Sequence, residues 1–336
     1  MSTPRDDGLS MPAEFAPHAA TYMEWPTRVE LWGDLFEQAK LDYAEVANAI
    51  AAFEPLVMVT DPDQADEARS FLTARVEILP IPIDDSWMRD NGPIFVTDGD
   101  GGIALVQFRF NSWGEKFLPY DRDADVPKHV AEHIGMRRYE APMVLEGGSF
   151  FVDGEGTLFT TEQCLLNPNR NPSMTRQQIE ETLRAYLGVD AVIWLGEGHS
   201  TDRDTDGHID GVLQVVRPGL VMLLAPADPQ DPDQEPGADN VRRLRAARDA
   251  RGRAIEVIAF DPGVPNGLSY MNFYLCNGGA IVPVVGREEE DEPALGQIRA
   301  AFPDREVVVV PGWTIHEGGG GPHCITQQVP VGSPLP

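Results

Sequence analysis

Cys324 stands in the stretch HEGGGGPHCITQQVP, three residues after a run of four glycines, 318–321. An unpaired cysteine is ordinarily a small core residue, and Cys164 and Cys276, among apolar or strand-like neighbours, read that way. Cys324 reads differently, because consecutive glycines let a backbone approach a ligand closely and the thiol falls where a strand begins. In TDGHIDG, His208 and Asp210 are two residues apart, so on a strand they share one face. Such a pair is either a general base beside a carboxylate or part of a metal site. Asp90 in DDSWMRDNGP and Glu146 in LEGG add two carboxylates, each of which alone would read as a solvated tip. Gathered in one place, three buried carboxylates repel one another. They need a cation: a metal ion, an internal arginine such as Arg89, or a positively charged substrate. Trp87 offers an aromatic face suited to a flat guanidinium, with plain core packing as the alternative. His323, beside Cys324, is expected on the opposite face of the strand.

These residues recur at equivalent places in a repeated unit. Residues 87–97, 145–161, 206–216, 269–282 and 318–329 each run from a polar or Gly-rich tip into an apolar strand, and their markers (Asp90, Glu146, His208, Phe273, Cys324) are 51–65 residues apart. Helical periodicity is expected between them over 34–53, 126–134, 173–187, 239–251 and 293–302. No single unit can bury its apolar hairpin face alone, whereas five around an axis bury them all and bring the tips to the centre. A two-domain dinucleotide-binding arrangement lacks its G-x-G-x-x-G between strand and helix. The acidic, Pro-rich stretch 228–237 reads as a surface loop. The expected organisation is a disordered tail over 1–10 and a single domain over 11–331.

Composition narrows the partners. The chain has 336 residues and a formal net charge of −28, a field that repels nucleic-acid phosphates and anionic lipid and favours cations. Only three of the 26 basic residues are lysine, so a generally acidic, Arg-biased surface also accounts for the balance. Three cysteines make no disulfide framework, the polar N-terminus carries no secretory h-region, and no apolar run approaches the ~20 residues of a membrane span. The expected setting is the cytoplasm, with no nucleic acid and no membrane as partner.

The order of motifs MPAEFAPHAATYMEW, DDSWMRDNGP, FNSWG, LEGGSFFVDGEGTLFTTEQCLLNPNRNP, DTDGHID, YMNFYLCNGG and GGGGPHCITQQVP resembles the agmatine deiminase family of guanidino-group-modifying enzymes along almost the whole chain. The resemblance implies a fivefold pseudo-symmetric α/β propeller of the pentein type, with no metal and no organic cofactor. It places the nucleophile on Cys324, the general acid/base on His208, the guanidinium-holding carboxylates on Asp90 and Asp210, and the histidine-orienting glutamate on Glu146. Trp87 falls in the substrate-contacting tip, and a homodimer is compatible. Asp204 stands where many members carry a longer glutamate for the distal amine, Pro322 where isoleucine is common, and Gly211 where a larger polar residue is found.

The implied chemistry is attack by a Cys324 thiolate on the guanidinium carbon, loss of ammonia protonated by His208, and hydrolysis of the thiouronium by water that His208 deprotonates. Agmatine is the leading substrate. Arginine, a methylated arginine or peptidyl arginine would suit the same chemistry. A metal-dependent hydrolase using His208, Asp210, Asp90 and Glu146, and a non-catalytic polyamine-binding propeller, are the readings from other classes.

Overall fold

Near-continuous aliphatic runs such as LVMLL form strands buried on both faces. In the computed structural model, which describes residues 2–263 and 267–336, Leu220–Leu224 pairs antiparallel with Leu213–Arg217 and parallel with Glu256–Phe260. The same arrangement joins Phe150–Val152, Thr157–Thr161 and Ala191–Leu195, and again Tyr274–Cys276, Gly279–Val284 and Glu306–Pro311. A fourth sheet holds Ile94–Thr97, Gly102–Arg109 and Arg138–Val144. In each case the parallel strand returns after a helix: Asp121–Ile134, Arg176–Leu187, Gln234–Ala246 or Glu288–Ala301. Parallel neighbours require such a crossover.

The fifth sheet is built differently. Thr326–Pro330 pairs antiparallel with His18–Glu24, setting Met23 opposite Thr326, and Leu56–Thr60 and Val76–Pro80 follow in parallel. The two ends of the chain thus close the ring, a pairing that no local pattern announces. The result is the mixed α/β fold of five small sheets in one domain that the repeat implied.

Local signals set the helices. Arg176–Leu187 starts at Thr175, whose side chain accepts from the Gln178 N–H in a capping box, and stops at left-handed Gly188. Ile179, Leu183 and Leu187 recur every fourth residue and are buried, each contributing about 1.5–3 kcal/mol by leaving water. The helix Gln234–Ala246 begins inside the stretch expected as a loop. Its Pro236 lies in the first turn, where the missing N–H has no intrahelical partner to lose.

Residues 2–10 also depart from the expected disorder; residue 1 lies outside the described residues. Leu9 is buried in the cluster holding Ile179, Leu183 and Leu187. The Arg5 side chain donates to the Val189 carbonyl and to Asp190, and Ser10 pairs with Thr97. The Tyr139 hydroxyl and Arg137 both engage Asp7, so buried Leu9 and several polar contacts together dock the segment. Past the expected boundary at 331, Ser333–Pro334 adds a short parallel strand to Gly102–Arg109. Among the described residues no helix is long and apolar enough to cross a membrane.

The tips meet at the centre. The short helix Met88–Asn91 touches the turn Gly147–Ser149, which touches the turn Ile209–Gly211.

Candidate active site

Asp90 lies on the short helix Met88–Asn91 and is almost fully buried. Its Oδ1 accepts the Gly148 backbone N–H at 2.8 Å and its Oδ2 accepts the Trp113 indole N–H at 2.9 Å. Trp113 reaches it only because Ser112, Trp113 and Glu115 all take positive φ, a conformation costing non-glycine residues of order 1–3 kcal/mol each.

His208 and Asp210 do not lie on a strand. Ile209–Gly211 is a 3₁₀ turn, and the strand begins only at Leu213. Both side chains nevertheless face the centre. A Cβ placed on Gly148 would sit 2.7 Å from His208 Nδ1, 2.8 Å from Asp90 Oδ1 and 2.9 Å from Asp210 Oδ2. No side chain fits there because two carboxylates and an imidazole already crowd that point. The other ring nitrogen, Nε2, faces Glu146 Oε2 at 3.8 Å, while Nδ1 lies 3.7 Å from Asp90 Oδ2. Glu146 stands behind His208, outside the cavity walls.

Cys324 lies two residues before its strand and is 5% exposed. Its thiol donates to Asp210 Oδ2 at 3.4 Å and accepts from Asn272 Nδ2 at 3.1 Å. The preceding glycines leave room for side chains as much as for ligand. A Cβ on Gly320 would lie 2.5 Å from the Trp87 ring, and one on Gly321 would lie 2.7 Å from Asn272 Oδ1.

Two adjoining cavities share Cys324, Asp204, Thr205 and Gly319. One, of about 340 Å³, runs past Trp87, Asp90, Trp113, Phe117 and Leu31 to Asp85. The other, about 1100 Å³, is lined by His208, Asp210, Asn272 and Arg203, among others. Trp87 stacks on Trp32 and meets Trp113 edge-on, so core packing and cavity lining are both its work. Asp85 is engaged by Arg28 at 2.8 Å. Asp204 is half-buried; burial and neighbouring Asp202 push its carboxyl up, against Lys116 and Arg203.

The electrostatics follow from burial and neighbours. Burial pushes the Cys324 thiol well above its ordinary value, and the charges of Asp210 and Asp90 push it further. Burial opposes protonation of His208, but Asp90, Cys164 and Glu146 together raise it well above the usual imidazole range. Burial raises Asp90, with His208 opposing and Asp210 adding. Despite burial, Asp210 is held low by His323, His208 and the thiol, and Glu146 by Arg170 and His208. The surroundings thus favour a thiol at Cys324, an imidazolium at His208 and charged carboxylates at Asp210 and Glu146, while burial works against charge on Asp90.

Sequence reading singled out Arg89 as the internal cation, yet Arg89 serves Gln328 and the His323 carbonyl and reaches Glu14 at 3.4 Å. The cation on Glu146 is Arg170, at 2.5 Å and fully buried; it also braces the His208 loop through Asp206 and the Thr205 carbonyl. His323 corrects a second expectation. It turns inward, with Nδ1 2.9 Å from Asp210 Oδ2 and Nε2 2.8 Å from Glu14 Oε2. Trp113, Asn272, Arg170 and Glu14 stand out in the sequence only as parts of longer motifs. Glu146, Cys164 and His208 bring one donor atom each within 4.8 Å of one another. Arg170 takes Glu146 Oε1, while Oε2 and both His208 ring nitrogens have no hydrogen-bond partner among the described residues.

Comparison with known proteins finds relatives along almost the whole chain. The family described as Porphyromonas-type peptidyl-arginine deiminase matches residues 10–330. The agmatine deiminase of Stutzerimonas stutzeri is 43% identical over 98% of this chain and 98% of its own length. That of Pseudomonas aeruginosa strain UCBPP-PA14 is 41% identical with the same coverage. The solved structure of Enterococcus faecalis agmatine deiminase superposes with a TM-score of 0.95 at 36% identity, covering 98% of each chain.

Proposed function

The chain belongs to the Porphyromonas-type peptidyl-arginine deiminase family, and on that footing we propose that it hydrolyses agmatine to N-carbamoylputrescine and ammonia. One observation carries the reading. Cys324, Asp90 and Asp204 line a single narrow cavity walled by Trp87, Trp113 and Leu31. A molecule with cations at both ends and an aliphatic stem matches that lining.

The guanidinium sits beside Cys324 where the two cavities join, its nitrogens against Asp90 and Asp210. Two carboxylates fix its plane and draw positive charge onto the central carbon. Its arrival supplies the cation that lets the Cys324 thiol lose its proton. The sulfur attacks the carbon, and the tetrahedral adduct expels one nitrogen as ammonia, which takes the proton carried by His208. The neutral imidazole then deprotonates water, which attacks the thiouronium. The C–S bond breaks, leaving a ureido product and a thiolate that is reprotonated. Glu146, braced by Arg170, favours the imidazolium that the first half needs. The stem lies along Trp87, and Asp204 receives the distal ammonium. An α-carboxylate, as in arginine, would be driven toward Asp204 and disfavoured.

The free, buried state of Cys164, Cys276 and Cys324 supports a cytoplasmic setting. Exposed Leu41, Val309 and Trp313, on elements that pack together, support a homodimer.

The deciding experiment incubates purified protein with agmatine, arginine and a peptidyl arginine and follows ammonia and product mass. Agmatine is expected to turn over fastest, with a transient adduct on Cys324 and none in Cys324→Ser. Near-normal ammonia release by Cys324→Ser would overturn the mechanism, and preference for arginine would overturn the substrate.

A further inference from the structure

Glu14 comes from the loop before the first strand, yet it is 5% exposed and lies under the centre of the ring. Its two oxygens engage residues in or just before strands of four of the five sheets: Arg89 at 3.4 Å, the Leu275 N–H at 3.0 Å, Gln214 at 3.5 Å and His323 at 2.8 Å. His323, 1% exposed, spans from Glu14 to the same Asp210 oxygen that accepts the Cys324 thiol. A buried imidazole between two carboxylates, each within 2.9 Å of a different ring nitrogen, satisfies both only as a doubly protonated cation.

The geometry points to His323, clamped by Glu14, as a charge-balancing and positioning residue that couples guanidinium binding to ionisation of Cys324. It acts through Asp210 and does not touch the reacting atoms. The inference rests on the deiminase reading of the site.

Charge balance gives the reason. Around the axis, Glu14, Asp90, Glu146 and Asp210 face Arg89, Arg170, His208 and His323; with the four carboxyls ionised and both imidazoles protonated, this set of groups sums to zero around a neutral thiol. A guanidinium then enters a balanced site, and balance returns when the S–H bond breaks, the electron pair stays on sulfur and the proton leaves to solvent. Were His323 neutral, one carboxylate would already be unanswered. The guanidinium would neutralise that carboxylate, bind well, and leave the thiol intact. The titratable and charged groups facing His323 are Glu14 and Asp210, which favour its proton, and Arg89, which with burial opposes it; the balance lies above the ordinary imidazole value. The same contacts hold Glu14 down to about 2 although burial opposes its charge.

The test is His323→Gln, which can still donate one hydrogen bond to Asp210 but carries no charge. With agmatine near pH 7.5, kcat is expected to fall about 10- to 100-fold, the effect of one to two pK units on thiolate formation, while KM does not rise. Most of the loss should be recovered at alkaline pH, where the thiol ionises without help. A loss confined to KM, or one that pH does not relieve, would overturn the proposal. A second measurement needs neither variant nor substrate. In ¹⁵N-histidine NMR of the unliganded natural chain, His323, assigned from its sequential neighbours, should show both ring nitrogens protonated at pH 7.5–8.5. A neutral ring there would overturn the charge role even if agmatine is hydrolysed. Conversely, a doubly protonated His323 in a chain that releases no ammonia from agmatine would sink the substrate reading and leave this one standing.

Discussion

The Cys324 thiol donates to Asp210 across 3.4 Å, so the carboxylate proposed to hold the substrate also restrains the proposed nucleophile. An ionised carboxylate at that distance disfavours a thiolate until a cation arrives between or beside them.

Asp210→Asn separates the two duties. It should abolish turnover, by about 10³-fold or more, since a charge-assisted contact to the guanidinium is lost where the reaction takes place. Yet it should speed alkylation of Cys324 by iodoacetamide in the absence of substrate, because one of the charges holding the thiol protonated has gone. Alkylation followed by mass spectrometry at pH 7.5 reads the result; slower labelling in the variant would contradict the assigned coupling.

Trp113→Phe keeps an aromatic ring against Phe110 and Phe117 but removes the indole N–H that Asp90 accepts at 2.9 Å. A hydrogen bond to a charged group contributes about 1.5–3 kcal/mol. The variant should therefore lose about 10- to 100-fold in kcat/KM while melting within a few degrees of the natural chain. Unchanged steady-state kinetics would show that the indole does not orient Asp90.

Arg170→Ala leaves Glu146 charged and unpaired where both side chains are fully buried. Breaking a buried pair from one side costs about 3–5 kcal/mol, and the loop bearing His208 loses its brace at Asp206 and the Thr205 carbonyl. Urea titration should show that loss. A destabilisation below about 1 kcal/mol would mean that water or a neighbour replaces the guanidinium.

Away from the axis, Glu24, Asp85 and Asp123 form a buried acidic group. Burial pushes Asp123 up to about 7, with Asp85 adding, and pushes Asp85 to about 6 against the pull of Arg28. A carboxyl raised in the folded state holds its proton longer than the unfolded chain does. Its contribution is therefore most favourable below the unfolded value near ~4 and declines as pH climbs through about 7. Asp123→Asn retains an acceptor for the Asp84 and Asp85 N–H groups. It should stabilise the fold by about 1–3 kcal/mol at pH 8 and by less at pH 5. Denaturation curves at the two pH values check this; an equal effect at both would remove titration as the cause.

How much of the site is legible in the chain depends on how local each signal is. Cys324, His208, Asp210, Asp90 and Glu146 could be chosen because each sits at the same point of a repeated unit, and repetition implies convergence at an axis. Where a side chain points was less legible. The rule that residues two apart share a face holds on a strand, but His208 and Asp210 lie on a 3₁₀ turn and Cys324 precedes its strand. There the alternation that would have sent His323 away from the centre does not operate. Trp113 reaches Asp90 through consecutive positive φ angles that its residue types do not advertise.

The amino-acid order alone thus determined the five-unit architecture and the demand of clustered carboxylates for a cation, because apolar periodicity and charge repulsion act whatever the details of packing. Only the tertiary structure decided which internal cations answer them. Arg170 beneath Glu146, and Glu14 joined to His323 across 309 positions of sequence, acquire their roles when the strand at 18–24 pairs with the strand at 326–330 and closes the ring. A buried ion pair is set by distances of a few ångströms, and no local preference of the chain fixes those until both ends have met.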